Sequence, residues 1–383
     1  MKKLNTLKGH LKNLDYYIFI PYIILSLIGI IMVYSASYST VKSSDPSGIM
    51  LKQGLYFVAG LVIIITLMSG NNKIVKSKGF VSSLGFLLTV ALAYLWFFGT
   101  KVNGAAGWIN LGPINIQPAE IAKVYFIIRF ARVIKLEDYK IRDDNWIDVF
   151  KGRITLSFVI LFLIFKQPDL GGALINFLII AIMILASGIY WKKALKLFFV
   201  GVLFFIAIFG IAVGFIKLGM WHSYQANRII SFINPFKDHD AGYQVINSYY
   251  ALSNGGIFGR GLGNSVQKNG YLPEPNTDFI MAVISEELGL IMVILILALL
   301  MFMVCRVIVI GVRSSFVYDK LVCYGVAFYM TVQSLINTGA VTGMMPITGV
   351  TFPFISYGGS SMLTLSFCIG LTLVISANQG KRS

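Results

Sequence analysis

The sequence predicts an all-α polytopic membrane protein, and three observations lead there. First, 57% of the 383 residues are hydrophobic and only 13% are charged, against about a quarter charged in a soluble domain. Second, the apolar residues come in long runs rather than in stripes of period 2 or 3.6, the pattern of a chain solvated by lipid. Third, Lys and Arg collect in alternate loops between those runs. In a soluble protein the net charge of +16 would point to nucleic acid. Here it follows from the basic residues that gather in cytoplasmic loops. Cys305, Cys323 and Cys368 all fall inside apolar runs and read as small core residues, so no disulfide and no metal site is expected. The three histidines stand in no ligand spacing.

A crossing helix needs roughly 20 residues, and ten transmembrane helices are predicted, near 17–36, 54–69, 80–99, 119–134, 154–166, 170–186, 194–216, 279–305, 320–343 and 356–377. The first run, from Tyr17 to Tyr34, is too long for a signal h-region and is read as an uncleaved helix despite the small residues Ser35-Ala36-Ser37 after it. Gln167-Pro168-Asp169 reads as a tight turn between the fifth and sixth spans. Of the 32 Lys and Arg, 21 fall on one side and nine on the other, which puts both termini in the cytoplasm. The whole chain, 1–383, reads as a single integral membrane domain. It has a cytoplasmic N-terminus (1–16), a large extracellular loop between helices 7 and 8 (217–278) and a short tail (378–383). That loop is rich in Gly, Asn, Pro and aromatics, so it should be ordered and packed on the helices. Long structured loops of this kind are often functional.

An ionisable group deep in a span costs ~2.5–3.5 kcal/mol on insertion scales. Four places therefore stand out as functional suspects. In Gln117-Pro118-Ala119-Glu120-Ile121-Ala122-Lys123, Pro118 suits a helix start. Glu120 and Lys123 then form either a local ion pair or a carboxylate and a cation facing an outward cavity. Asp169 opens a helix and reads first as a helix-dipole carboxylate. In Pro273-Glu274-Pro275-Asn276-Thr277-Asp278-Phe279-Ile280, two prolines stiffen the approach, and Asp278 is placed in the first turn of the eighth helix. Its two readings are helix-dipole stabilisation and a general base fixed in space. Glu286 and Glu287 lie about 12 Å deeper in the same helix, with Lys123 a candidate partner by depth.

The outer loop adds cations. Arg228 precedes Asn234-Pro235, and Arg260 and Lys268 flank Gly259-Arg260-Gly261-Leu262-Gly263-Asn264. Gly-rich backbone beside Arg or Lys suits a phosphate, though the glycines also read simply as turns. Pro353-Phe354-Ile355-Ser356-Tyr357-Gly358-Gly359-Ser360-Ser361 at a bilayer boundary suggests close helix packing or a polar cavity wall. A substrate with a lipid tail, a phosphate and a polar head would use all of these features.

These segments resemble the SEDS family (FtsW, RodA, SpoVE). The resemblance rests on Gly261-Leu262-Gly263-Asn264-Ser265-Val266-Gln267-Lys268, Leu272-Pro273-Glu274-Pro275, Thr277-Asp278-Phe279-Ile280 and Glu286-Glu287-Leu288-Gly289. It rests equally on Gln117-Pro118-Ala119-Glu120, Gln167-Pro168-Asp169-Leu170-Gly171 and the 353–361 motif, and it covers essentially the whole chain. It implies a ten-helix peptidoglycan glycosyltransferase in the bacterial cytoplasmic membrane. Such an enzyme polymerises lipid II into glycan strands and works with a class B penicillin-binding protein. The family's essential aspartate matches Asp278, its fourth-helix lysine Lys123 and its loop arginine Arg228. The 264–275 wording is closer to FtsW than to RodA, which implies a septal role among other divisome membrane proteins. A RodA-type elongation polymerase and a lipid II flippase are the alternatives. One departure is Gly107 before Trp108, where many members carry Arg; Arg228, Arg260 or Lys101 would supply that charge.

The chemistry expected of such a site follows from the leaving group. A sugar 4-hydroxyl needs a base to take its proton, and Asp278 is the candidate. A pyrophosphate leaves already ionised, so it needs cations rather than the second carboxylate of a glycosidase. Lys123, Arg228, Arg260 and Lys268 are candidates for that role, with a divalent cation (Mg²⁺ or Mn²⁺) as an optional cofactor. Glu120, Glu274, Ser356, Gly358, Gly359 and Ser360 complete the expected substrate contacts. One in-line displacement inverts the anomeric centre. A transporter would spread polar groups along its path, often in inverted repeats, and the sequence shows no such repeat. A scaffold role would rest on the mixed-charge 135–153 loop.

Overall fold

Apolar runs of this length can satisfy their backbone in lipid only as helices or closed barrels, and in the computed structural model each predicted span coincides with a helix. The structure describes residues 9–10, 12–38, 45–70, 74–99, 107–112, 114–137, 154–167, 169–218, 224–237 and 241–379. The helices are α1 (Tyr16–Ser37), α2 (Pro46–Ser69), α3 (Lys78–Phe98), α4 (Pro118–Leu136), α5 (Thr155–Lys166), α6 (Leu170–Leu185), α7 (Trp191–Lys217), α8 (Tyr224–Ile233), α9 (Ala241–Gly255), α10 (Ile280–Arg313), α11 (Val317–Val341) and α12 (Gly359–Gln379). Among the described residues α1, α2, α3, α10 and α12 are long and apolar enough to cross a membrane, while α5 and α6 are shorter apolar helices.

The structure moves several boundaries. Helix α2 starts at Pro46, eight residues before the apolar run, because Asp45 caps it by accepting from the Ser47 N–H at 3.0 Å. Gln53, read as loop, is a buried helical residue. The 107–116 segment, read as loop, holds a short antiparallel hairpin of β1 (Ile109–Leu111) and β2 (Ile114–Ile116), with Ile109 opposite Ile116. Its period-2 pattern around Gly112 was the available signal. The 217–278 segment, read as loop, contains two helices, α8 and α9. Cys323 and Cys368 are buried as expected, but Cys305 is exposed on α10.

The chain divides into two compact units. One comprises Met1–Asn71, Ile230–Val309 and Met330–Ser383, the other Asn72–Ile229 and Ile310–Tyr329. In the second unit, α3, α4, α5 and α6 pack together, and the α4 face is almost wholly buried. In the first unit, α12 lies along α2, and small residues let the backbones approach. Tyr22 Oη and Ser366 Oγ, 3.0 Å apart, meet beside Gly60.

The first unit turns on a break inside α10. Gly289 sits at φ 80°, ψ 174°, outside helical space, in a conformation that only glycine adopts at no steric cost. The break would orphan backbone groups that an unbroken helix satisfies. The loop after α9 takes four of them. Arg260 and Gly261 N–H donate to the Glu286 and Glu287 carbonyls, each at 2.9 Å, while Leu290 and Ile291 N–H donate to the Gly256 and Ile257 carbonyls at 3.0 and 3.3 Å. Gly259 (φ 79°) lets this loop close, since a Cβ there would overlap the Glu287 carbonyl.

Glu286 and Glu287, about 100° apart around the helix, find separate partners. Glu287 accepts from Ser35 Oγ at 2.7 and 2.8 Å and from Lys268 Nζ at 2.7 Å. Glu286 accepts from Ser265 Oγ at 2.5 Å, the Gln267 N–H at 3.1 Å and Asn254 Nδ2 at 3.0 Å, with the Arg260 guanidinium 3.9 Å away. The partner of Glu287 is thus Lys268, not Lys123. This also recasts Lys268, expected as a substrate cation: its side chain is 2% exposed and its charge is committed to Glu287. Removing one member of a buried pair costs about 3–5 kcal/mol, because the other charge is left uncompensated. Lys268→Met should therefore lower the apparent unfolding temperature of the detergent-purified protein sharply, and Lys268→Met with Glu287→Leu should recover much of the loss. A double variant no more stable than the single one would contradict this pairing. Gly259→Ala should be at least as damaging, since it both strains φ and displaces the loop from the helix break. Wild-type stability in Gly259→Ala would show that the loop does not close the break.

Candidate active site

Asp278 does not lie in the first turn of α10. It sits in the turn before it, since the helix starts at Ile280 and the Phe279 carbonyl accepts the first helical bonds, from Ala282 and Val283 N–H. The helix-dipole reading therefore weakens, because the dipole's effect falls off beyond the first turn. The turn itself is built by Glu274. Its carbonyl accepts from the Phe279 N–H at 3.2 Å, and its carboxylate accepts from Thr277 Oγ1 at 3.1 Å. The side chain expected to bind substrate thus also shapes the approach to Asp278.

Three consecutive carbonyls of this turn are held from outside it. The Tyr357 N–H donates to the Asn276 carbonyl at 2.8 Å, Ser356 Oγ to the Thr277 carbonyl at 2.6 Å, and Asn337 Nδ2 to the Asp278 carbonyl at 2.8 Å. Asn276 Nδ2 reaches Ser37 Oγ on α1 at 3.1 Å, and Gln53 Nε2 on α2 holds the Ser356 carbonyl at 3.2 Å. The Asp278 backbone is pinned while the residue remains partly exposed. A carboxylate that is accessible yet fixed is the arrangement a general base requires.

The 352–361 segment that supplies two of these bonds is itself locked. Ser356 Oγ also accepts from the Phe352 N–H at 2.7 Å. Phe354 adopts φ 64°, a conformation costing about 1–3 kcal/mol that persists only where its surroundings over-determine it. Here its buried ring packs edge-on to Tyr22 at 5.4 Å. Of the two readings of the glycine-serine run, close packing fits Gly359, whose missing Cβ space is taken by the Tyr56 ring. Ser360 is buried and Gly358 faces Thr351. Ser361 joins Gln333 and Thr351 in a polar knot at 3.1 Å. Ser356 thus acts on the turn through its hydroxyl, which holds the Thr277 carbonyl.

The second unit carries the other polar cluster. Lys123, 1% exposed, pairs with Glu120 and lies 4.9 Å from the Tyr329 ring centroid, while Tyr329 Oη donates to Glu120 at 3.1 Å. The ion-pair reading of Glu120 and Lys123 is the observed one. Asp169 caps α6 by accepting from the Gly172 N–H at 2.8 Å and takes a further bond from Gln117 Nε2 at 3.2 Å. Desolvation pushes its carboxyl above the usual carboxylate range. The Gly172 bond and the Lys123 and Arg228 charges pull it back, and Glu120 adds to the rise. Arg228 is partly exposed and Arg260 is 45% exposed. Gly107 faces Gln117, while Lys101 and most of the 135–153 loop lie outside the described residues.

Asn337, Gln53 and Ser37 escaped the sequence reading. They are neutral, so nothing in their residue type sets them apart as ionisable groups within spans do. A buried carboxamide in an apolar helix was the signal, since polar side chains at that depth need partners.

Comparisons with known proteins agree with this architecture. Residues 15–381 match the cell cycle protein family FtsW/RodA/SpoVE. A probable peptidoglycan glycosyltransferase FtsW of Lactococcus lactis is 38% identical over 96% of this chain and 94% of its own length. The FtsW of Bacillus subtilis bearing the same description is 37% identical over 97% and 92%. Among solved structures, a chain from a peptidoglycan synthase complex described as coordinating polymerization and crosslinking aligns with a TM-score of 0.75 at 24% identity, covering 96% of this chain and 98% of its own. The rod shape determining protein RodA of Thermus thermophilus aligns with a TM-score of 0.64 at 22% identity, covering 96% and 97%. With a family match running almost end to end and relatives well above 30% identity, this multi-pass membrane protein belongs to the FtsW/RodA/SpoVE family of cell cycle proteins.

Proposed function

We propose that the protein is a peptidoglycan glycosyltransferase that polymerises lipid II into glycan strands at the outer face of the bacterial cytoplasmic membrane, with Asp278 as general base. The observation that carries the base assignment is the pinned turn: three successive carbonyls ending at Asp278 are held while the residue stays accessible. The names of the relatives carry the reaction class. The base takes the proton of the acceptor's 4-hydroxyl as its oxygen attacks the anomeric carbon, and the bond to the pyrophosphate breaks with inversion. The leaving pyrophosphate is anionic throughout, so cations rather than an acid stabilise it. Of the cations named from sequence, Arg260 is exposed in the unit that carries Asp278 and is suited to meet a phosphate, while Arg228 is partly exposed and Lys123 holds Glu120.

The ten-span topology with both termini cytoplasmic is part of this reading and rests on the Lys and Arg distribution. Among the described residues no three His, Cys, Asp or Glu side chains converge. A divalent cation would accordingly come with the substrate phosphates as its main ligands, the usual habit of Mg²⁺. Septal rather than side-wall synthesis is favoured by the FtsW relatives at 37–38% identity. The described role of the synthase complex supports a class B penicillin-binding protein as partner.

Removing a positioned general base typically costs 10²–10⁴-fold in rate. Asp278→Asn should therefore lower polymer formation from lipid II by about 10²–10⁴-fold in the purified complex, with an unchanged unfolding temperature. Polymerisation at the wild-type rate would remove the base assignment, whereas absence of polymerisation by the wild-type complex would leave a scaffold or transport role as the better reading.

A further inference from the structure

We infer that Asn337 is a positioning residue for Asp278, an inference that rests on the base assignment above. Asn337 lies near the end of α11, 1% exposed. Its Nδ2 donates to two carbonyls at once, Asp278 at 2.8 Å and Val350 at 2.7 Å. A carboxamide nitrogen carries two hydrogens, and here each has its own acceptor. Both neighbours are carbonyl oxygens, which only accept, so the nitrogen must be the atom that faces them. The cost of that orientation is visible on the other side, where the buried Asn337 Oδ1 finds no hydrogen-bond partner among the described residues.

The Asp278 carbonyl needs such a donor. It stands one residue before the first carbonyl that the α10 helix satisfies, since the Ala282 and Val283 N–H groups go to Phe279. The other two bonds on the turn come from the 356–357 segment, whereas Asn337 holds the carbonyl of the residue that carries the carboxylate. Loss of it removes one of the bonds that fix the Asp278 backbone and hence the direction of its side chain.

Gln333, one turn earlier on α11, provides the control. Its Nε2 holds the Thr351 carbonyl at 2.9 Å and Ser361 Oγ at 3.1 Å, bonds that brace the same 350–361 segment and do not run to the Asp278 carbonyl. The experiment measures lipid II polymerisation kinetics and unfolding temperature for wild type, Asn337→Ala, Asn337→Asp and Gln333→Ala, with Asp278→Asn in parallel. Asn337→Asp keeps the volume but turns an acceptor toward two carbonyls. Both Asn337 variants should lose about tenfold or more in kcat, roughly the effect of misplacing a reacting group, with KM for lipid II within about twofold of wild type. Gln333→Ala should lose much less kcat even where it costs comparable stability. Equal losses in Asn337→Ala and Gln333→Ala, tracking unfolding temperature, would overturn the inference, as would unfolding of both Asn337 variants while Gln333→Ala stays intact. Wild-type kcat in the Asn337 variants with an inactive Asp278→Asn would also overturn it while leaving the base assignment standing. An active Asp278→Asn would instead remove the reading on which it rests.

Discussion

Backbone polar groups have no water to turn to inside a bilayer, so a helix interrupted there must be repaired by the protein itself. Much of the first unit follows from that constraint at Gly289. The interruption exposes carbonyls of Glu286 and Glu287 and amides of Leu290 and Ile291, and the 256–261 loop answers each with a bond of 2.9–3.3 Å. The loop is thereby forced back against α10, and the sequence that follows it is delivered to a defined place.

Side chains reinforce what the backbone begins. Glu286 gathers Ser265, Gln267 and Asn254, all from the segment leading to the Asp278 turn or from the helix before it. Glu287 ties Lys268 of the same segment to Ser35 of α1. Buried ion pairs are often poor stabilisers against an apolar alternative, because desolvation offsets their attraction. Their use here fits specificity better: two adjacent carboxylates pointing in different directions fix both the loop's register and its attachment to α1. The turn that carries Asp278 then closes against the 352–357 segment and α11, through the Tyr357 N–H, Ser356 Oγ and Asn337 Nδ2.

The second unit shows the same economy with charge. Lys123 would be costly in an apolar helix on its own, but one turn away Glu120 neutralises it, and the Tyr329 ring and hydroxyl complete its surroundings. Asp169 is tolerated as the cap of α6. Residues that the sequence marks as chemical suspects can thus be structural partners of one another. Exposure, more than residue type, separates Arg228 and Arg260 from Lys123 and Lys268.

The sequence by itself determined the class of solvent, the places of the apolar helices to within a few residues at most ends, and the residue around which the chemistry is proposed. Lipid explains why: runs of about 20 apolar residues admit one local structure, and an ionisable residue beside them needs a reason. Family resemblance then singled out Asp278 from the other carboxylates. Local pattern could not decide where each polar side chain spends its bonds. Lys268 and Glu287 are 19 residues apart, Ser35 and Glu287 are 252 apart, and Asn337 lies 59 residues from Asp278. No periodicity encodes such pairings. Only the tertiary structure decided that Lys268 is a buried counter-ion, that Asp278 precedes the helix instead of opening it, and that a neutral asparagine holds its carbonyl. Hydrogen bonds depend on distance and direction in space, and those are set by how the helices pack.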